Sequence, residues 1–195
     1  SLDTIQDGLE NEGLLVTIER VRHTEAKGTI LEQEPDPDSQ IRVGSPVTLT
    51  VSGGADVPIA IEANLNDQVV LEKAWVSQFS HRPGGSVPVT LRWRCLQPLE
   101  ASYKVFIHIL TQDMNRLIAQ RDIEPVNGLR PTQTWNAGEL ISDAHQVMLP
   151  EDISPGTYQV RVGLYNQGGR LPVTDPGKAD VVDDTIFVTT IEVVP

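Results

Sequence analysis

Two kinds of apolar spacing divide the chain. Leu2, Ile5, Leu9 and Leu14 recur at helical intervals, with Ser1 placed to cap the start and Gly13 to end the helix in a left-handed turn. From Leu15 to Arg22 the period drops to two, setting Val16, Ile18 and Arg20 against Thr17, Glu19 and Val21. Lys27-Gly28 turns the chain into an extended run at 29–33. Pro35 to Asp38 turns it again, and Gly44-Ser45 leads into an alternating run at 47–51. The order predicted is helix, strand, turn, strand, proline turn, strand, closed by Ser52-Gly53-Gly54.

Beyond residue 54 the helical period vanishes. Residues 55–68 read as a junction, opened by Ala55-Asp56-Val57-Pro58 and free of any long Gly/Ser tract. Residues 69–195 then alternate between strand and turn signals. Strands are expected at 69–77, 86–95, 103–111, 117–123, 144–149, 157–165 and 185–194, with shorter ones at 139–142 and 171–173. This spacing predicts an Ig-like or jelly-roll antiparallel β-sandwich. Within 86–95, Val87, Val89, Leu91, Trp93 and Cys95 share the inward face, leaving Thr90, Arg92 and Arg94 outside. Within 157–165, Tyr158, Val160, Val162 and Leu164 point inward and Arg161 outward. The predicted fold is mainly β: a small α+β unit at 1–54, the junction, and a β-sandwich at 69–195.

Composition narrows the function more than the fold. The 195 residues carry a net charge of −12, which repels phosphate backbones and anionic lipid, so no nucleic-acid partner is expected. The charge is split evenly, with four basic against ten acidic residues in 1–54 and eleven against seventeen in 55–195, a net −6 each. Cys95 is the sole cysteine, which excludes an internal disulfide, an iron–sulfur cluster and a thiolate zinc site. No apolar run is long enough to span a bilayer, and no basic-then-apolar leader occurs. Any membrane anchor is therefore expected outside these residues.

Catalytic motifs are absent, and no cofactor or metal is expected: there is no H-E-x-x-H, G-x-S-x-G, phosphate-binding loop or dinucleotide fingerprint. With no legible nucleophile, base and orienting partner, the chain does not read as an enzyme. The most informative cluster is His108, Gln120 and Asp122. A hairpin turning at Asp113-Met114-Asn115 sets His108 opposite Gln120 and Phe106 opposite Asp122, all on one face with Leu110. Such a group is either a buried polar network or a ligand or metal site. One imidazole and one carboxylate fall short of a dedicated metal site, which favours the network. Acidic groups such as Asp36/Asp38 and Asp180/Asp183/Asp184 read as solvated loops, with weak calcium binding as the alternative. His23, His81 and His145 read as surface residues. Trp75, Trp135 and Tyr165 are the aromatics open to stacking on a sugar ring. Trp135 follows the long loop 128–134, as a platform or as a lid on the sandwich. Arg92, Arg94 and Arg161 read as an outward stripe, paired across strands with acids.

Gln33, Pro35, Val43, Gly44, Ser45, Val47, Leu49, Val51 and Ser52 fall at the positions of G-x-V-x-x-Q-x-P-x-x-G followed by V-x-x-G-S-x-V-x-L-x-V-S. With the Gly13-Leu14 helix exit, they resemble the PASTA domain across about residues 1–54. Two departures stand out. The opening extended V-P-x-V segment is missing, so the first strand looks truncated, and Asp38 or Ser39 stands where glycine is usual in the proline turn. The pattern from Tyr103 and His108 through Trp135 to Pro155-Gly156-Thr157-Tyr158 and Tyr165 is similar to β-sandwich modules appended to envelope proteins of Chloroflexi-like bacteria. Together the resemblances imply a non-catalytic, extracytoplasmic part of a bacterial envelope protein, such as a PASTA-bearing Ser/Thr kinase. It would act as a cell-wall sensing or spacer module and meet peptidoglycan fragments or β-lactams, with Arg42 the first candidate contact for a ligand anion. The alternative is a carbohydrate-binding sandwich that reads envelope glycans.

Overall fold

Helix α1 (Leu2–Asn11) stops where the sequence runs out of helix formers and meets glycine. Gly13 sits at φ +80°, its N–H bonds Glu10 O at 2.9 Å and the Leu14 N–H bonds Leu9 O at 3.2 Å. That is the Schellman pattern, and Leu9 and Leu14 supply its apolar contact. The computed structural model describes residues 2–21, 23, 25–54, 57–77 and 79–195. The expected cap Ser1 lies outside them. Two units result, Ser1–Asp56 and Val57–Pro195.

In the first unit, β1 (Leu15–Val21), β2 (Ile30–Glu34) and β3 (Pro46–Ser52) form one sheet in the order β1-β3-β2. β1 runs parallel to β3, and β2 antiparallel to it. The central strand carries the core: Val47, Leu49 and Val51 alternate inward and are buried. Leu2, Leu9, Leu14, Val16, Ile18 and Ile30 pack around them. Ile5, expected on the same helical stripe, is exposed. Ser52 is buried: its hydroxyl donates to Glu25 O at 2.7 Å and accepts the Gly54 N–H at 3.0 Å, pinning the loop that closes the sheet.

The second unit is a β-sandwich with every strand pair antiparallel. β4 (Ile59–Leu65), β5 (Val69–Val76), β6 (Ser86–Cys95), β7 (Lys104–Thr111), β8 (Leu117–Ile123), β9 (Leu140–Met148) and β10 (Gly156–Asn166) come first. β11 (Gly169–Arg170), β12 (Val173–Asp175), β13 (Val181–Val182) and β14 (Thr185–Val193) complete it. One sheet runs β12-β4-β5-β6-β9 and the other β13-β14-β10-β7-β8, with β11 added to β10. Trp93, Leu91 and Leu71 from the first sheet join Ile107, Ile109, Val162 and Leu164 of the second in one core. The inward faces predicted for β6 and β10 are observed. Near the start of β10 the Tyr158 hydroxyl donates to Ser154 O at 2.7 Å, a tie resembling the tyrosine corner of such sandwiches.

Several expectations need correction. Residues 59–65, read as junction, form β4. Ile61, Ala63 and Leu65 point inward, and Asn66-Asp67, both at positive φ, make the tight turn into β5. The segments 139–142 and 144–149 are one strand, β9, because Asp143 points into the core rather than breaking the run. At 171–173 the chain changes sheets: β11 pairs β10, buried Leu171 crosses the core, and β12 pairs β4. His81 and His145, expected at the surface, are buried. Arg161 lies on the outward face of β10 yet is only 4% exposed, covered by the segment before β14.

Candidate functional site

The short turn after β7 fixes the register of β7 against β8. Thr111 O–H donates to the Asp113 carboxylate, which also accepts the Asn115 N–H and side-chain amide. These bonds hold the Asp113 carboxyl below its ordinary pKa, the Thr111 hydroxyl contributing most. In the resulting ladder His108 faces Gln120 and Phe106 faces Asp122. β10 lies on the other side of β7, with Arg161 beside His108, Gly163 beside Phe106 and Tyr165 beside Lys104. The tight β10–β11 hairpin then places Arg170 opposite Tyr165.

These strands make a cavity of about 270 Å³ on the outer face of the sheet, lined by Phe106, His108, Gln120, Asp122, Tyr165 and Arg170. Phe106 forms its floor and is only 1% exposed. Gly163 makes that possible, since a Cβ there would lie 2.5 Å from the ring. The Phe106 ring contacts the His108 ring at 4.7 Å and the Tyr165 ring at 6.1 Å between centroids. The Arg170 guanidinium lies 5.4 Å over the Phe106 ring and donates to Asp183 O at 2.7 Å. His108 Nε2 is 3.5 Å from Asp122 Oδ1, a long contact, and that oxygen is buried without a well-formed hydrogen bond. Burial pushes the His108 pKa down and Arg170 adds to this, while Asp122 opposes both. Burial and the Asp122 charge push the Tyr165 phenol up. The buried network expected from His108, Gln120 and Asp122 is therefore an open, half-buried rim, with Gln120 exposed.

The other predicted site residues do not converge on this cavity. Trp135 is 1% exposed and spends its indole N–H on Arg130 O at 3.0 Å, so it is a lid and offers no free ring face. Trp75 is half-buried beneath the Arg92 guanidinium, 5.8 Å from its ring. Arg92 and Arg94 both pair with Glu72 across β5 and β6, at 3.1 and 3.0 Å. Arg161 pairs with Asp180 at 2.7 Å, donates to Thr185 O and Gln159, and stacks on Phe187. It clasps the β13–β14 hairpin to β10. Arg42 is exposed and forms no ion pair among the described residues. Beside it, Ile41 is 38% and Val43 81% exposed. The Cys95 thiol is buried and donates to Gln97 O; burial, reinforced by Glu139, raises its pKa, so it is a poor nucleophile. No cluster of three or more His, Cys, Asp or Glu suits a metal ion among the described residues.

Two features escaped the sequence reading. Arg170 was legible in principle, because Gly168-Gly169 predicts a tight hairpin and so a partner for Tyr165. The second is a carboxylate–imidazole contact inside the sandwich. Asp143 and His145, both fully buried at their side chains, meet at 2.8 Å in a contact too misaligned to be a hydrogen bond. Asp143 Oδ1 also accepts the Val126 N–H at 2.7 Å.

The first unit combines a Schellman-ended helix, a proline turn, the Gly44-Ser45 turn and a buried closing serine, and its sequence matches a known family model over residues 1–53. Residues 1–53 match the PASTA domain family. The PASTA match stops before the sandwich begins. Among the curated proteins, none matches the chain. Among solved structures, the chain is similar to the C-terminal domain of wzt, at 12% identity and a TM-score of 0.46, covering 69% of this chain and 78% of that one. It is also similar to the entire extracellular region of the Ser/Thr kinase PrkC from Staphylococcus aureus, at 14% identity and a TM-score of 0.29. That match covers 91% of this chain and 48% of the other. At these TM-scores neither likeness bears on function. No helix among the described residues is long and apolar enough to cross a membrane.

Proposed function

We propose that the chain is a non-catalytic, extracytoplasmic part of a bacterial envelope protein, in which the PASTA domain faces the cell wall. The observation that carries this is the PASTA match over residues 1–53, with its turns and closing serine in place. Arg42, flanked by exposed Ile41 and Val43, is the surface through which the domain touches peptidoglycan fragments: one guanidinium with no ion pair among the described residues, ready for a carboxylate, and two apolar side chains beside it. A kinase is one parent consistent with such a domain. The test is co-sedimentation with purified peptidoglycan, together with amide-shift mapping on addition of soluble muropeptides. Retention on the wall, shifts centred on residues 41–45, and loss of both in Arg42→Glu are expected. If neither retention nor shifts occur, wall sensing is overturned and the domain is a spacer.

A further inference from the structure

The cavity between β7, β8 and β10 is unusual for the solvent face of a sheet. An aromatic ring occupies its floor at almost no exposure, and the sequence spends a glycine, Gly163, to let that ring lie flat against the neighbouring strand. A strand face that only met water would need neither. Around the floor stand groups whose polar capacity is unused. Asp122 Oδ1 is buried and meets His108 Nε2 only at a long 3.5 Å, and the Gln120 amide and Tyr165 hydroxyl make no hydrogen bond among the described residues. A buried carboxylate oxygen with so long a contact gains from a closer donor.

The charges at the site select the ligand. Asp122 contributes one negative charge and Arg170 one positive, so neither a lone anion nor a lone cation gains from the whole site. The place over the Phe106 ring that would favour a cation is already taken by the Arg170 guanidinium. What uses every group is a neutral ring with a C–H face and hydroxyls at its edge. The half-buried Tyr165 ring takes the face, the Asp122 carboxylate accepts from hydroxyls, and Gln120 and Arg170 donate to them. The size agrees, because about 270 Å³ lies just under the range of about 300–1,000 Å³ typical of drug-sized ligands.

We propose that this cavity binds one neutral sugar ring, with Tyr165 against its C–H face and Asp122 and Gln120 on its hydroxyls. The site stands apart from the wall-facing reading of residues 1–53 and fails or survives separately from it. The ring is free or the end of a longer glycan, and the two sources are separated by comparing a methyl glycoside with the same sugar ending an oligosaccharide. Tighter binding of the oligosaccharide identifies a glycan end, and equal binding identifies the single ring.

The test uses the full chain and the methyl glycosides of glucose, mannose, galactose, rhamnose and N-acetylglucosamine, read by amide shifts. At least one is expected to shift His108, Gln120, Tyr165 and Gly169 saturably with a Kd of about 1–10 mM, the weak range for a single ring. Asp122→Asn, which keeps the shape but loses the charge, is expected to weaken binding about tenfold, and Tyr165→Ala to abolish it. Both side chains lie on the outer face, and an unchanged spectrum over β4–β6 verifies that the sandwich is intact. The assignment is overturned if no glycoside shifts these residues, or if both variants bind like the parent. It is equally overturned if sodium sulfate or tetramethylammonium saturates the site while the glycosides do not.

Discussion

At the scale of single residues, the floor of the cavity is set by a hydrogen atom. Gly163→Ala puts a methyl where the Phe106 ring lies, 2.5 Å from its nearest carbon, and the neighbouring Asp184 O is only 3.1 Å away. The expected outcome is a loss of about 1–3 kcal/mol in urea unfolding, with broadened resonances for Phe106 and Tyr165. The histidines give a pH prediction of definite sign. Burial lowers the pKa of His81 and of His108, so the unfolded chain takes up protons first as the pH falls through about 6.5. Their contribution is therefore complete above that pH and is lost below it. Between pH 7.5 and 5.5 the urea midpoint of the sandwich should fall, and His108→Gln should flatten part of that fall. The pairing of His108 with Gln120 was legible from the turn position, although the observed loop pairs Leu110 with Leu117 and a bulge beside Ile109 restores the expected register. The direction of Trp135 was not, because spacing says nothing about which way a loop side chain turns.

At the scale of elements, β4 and β9 were misread for one reason: residue types that contradict a strand hide an alternation of buried and exposed positions that obeys it. β4 keeps strict alternation at Ile59, Ile61, Ala63 and Leu65, but its alanines, Glu62 and Asn64 have poor strand propensity. β9 looked broken at Asp143, which instead points inward to pair with His145. β9 is an edge strand, and its outward residues Leu140, Ser142, Ala144, Gln146 and Met148 carry no charge. Inward-pointing charge is one way in which edge strands resist pairing with other chains. Two variants separate stability from this role. Asp143→Ala strands His145 and the Val126 N–H and should cost about 1–3 kcal/mol. Replacing both Asp143 and His145 by valine should restore most of that stability but raise the tendency to associate, measured by light scattering against concentration. In the first unit the matching test is Gly13→Ala. A side chain at φ +80°, with its Cβ 2.8 Å from Val43, should cost about 1–2 kcal/mol and erode the helix signal.

At the scale of the whole chain, the two units differ in the size of core that holds them. The PASTA domain buries Val47, Leu49 and Val51 fully and leaves α1 with no buried residue, whereas the sandwich buries some thirty apolar side chains, Trp93 and Trp135 among them. A small core leaves little margin over chain entropy. The same net −6 is spread over 54 residues in one part and 141 in the other, so self-repulsion per residue is greater in the PASTA domain. All the Trp, Tyr and Phe residues lie between Trp75 and Phe187, so intrinsic fluorescence reports the sandwich alone, while far-ultraviolet circular dichroism reports both. In a urea titration the dichroism should therefore begin to fall at lower denaturant than the fluorescence. Moderate salt should move that early phase to higher urea and shift the fluorescence transition less, since screening relieves the denser charge more. Coincident transitions at every salt concentration would instead mean that the chain unfolds as one cooperative body, and the small core would then have to draw stability from outside its own residues.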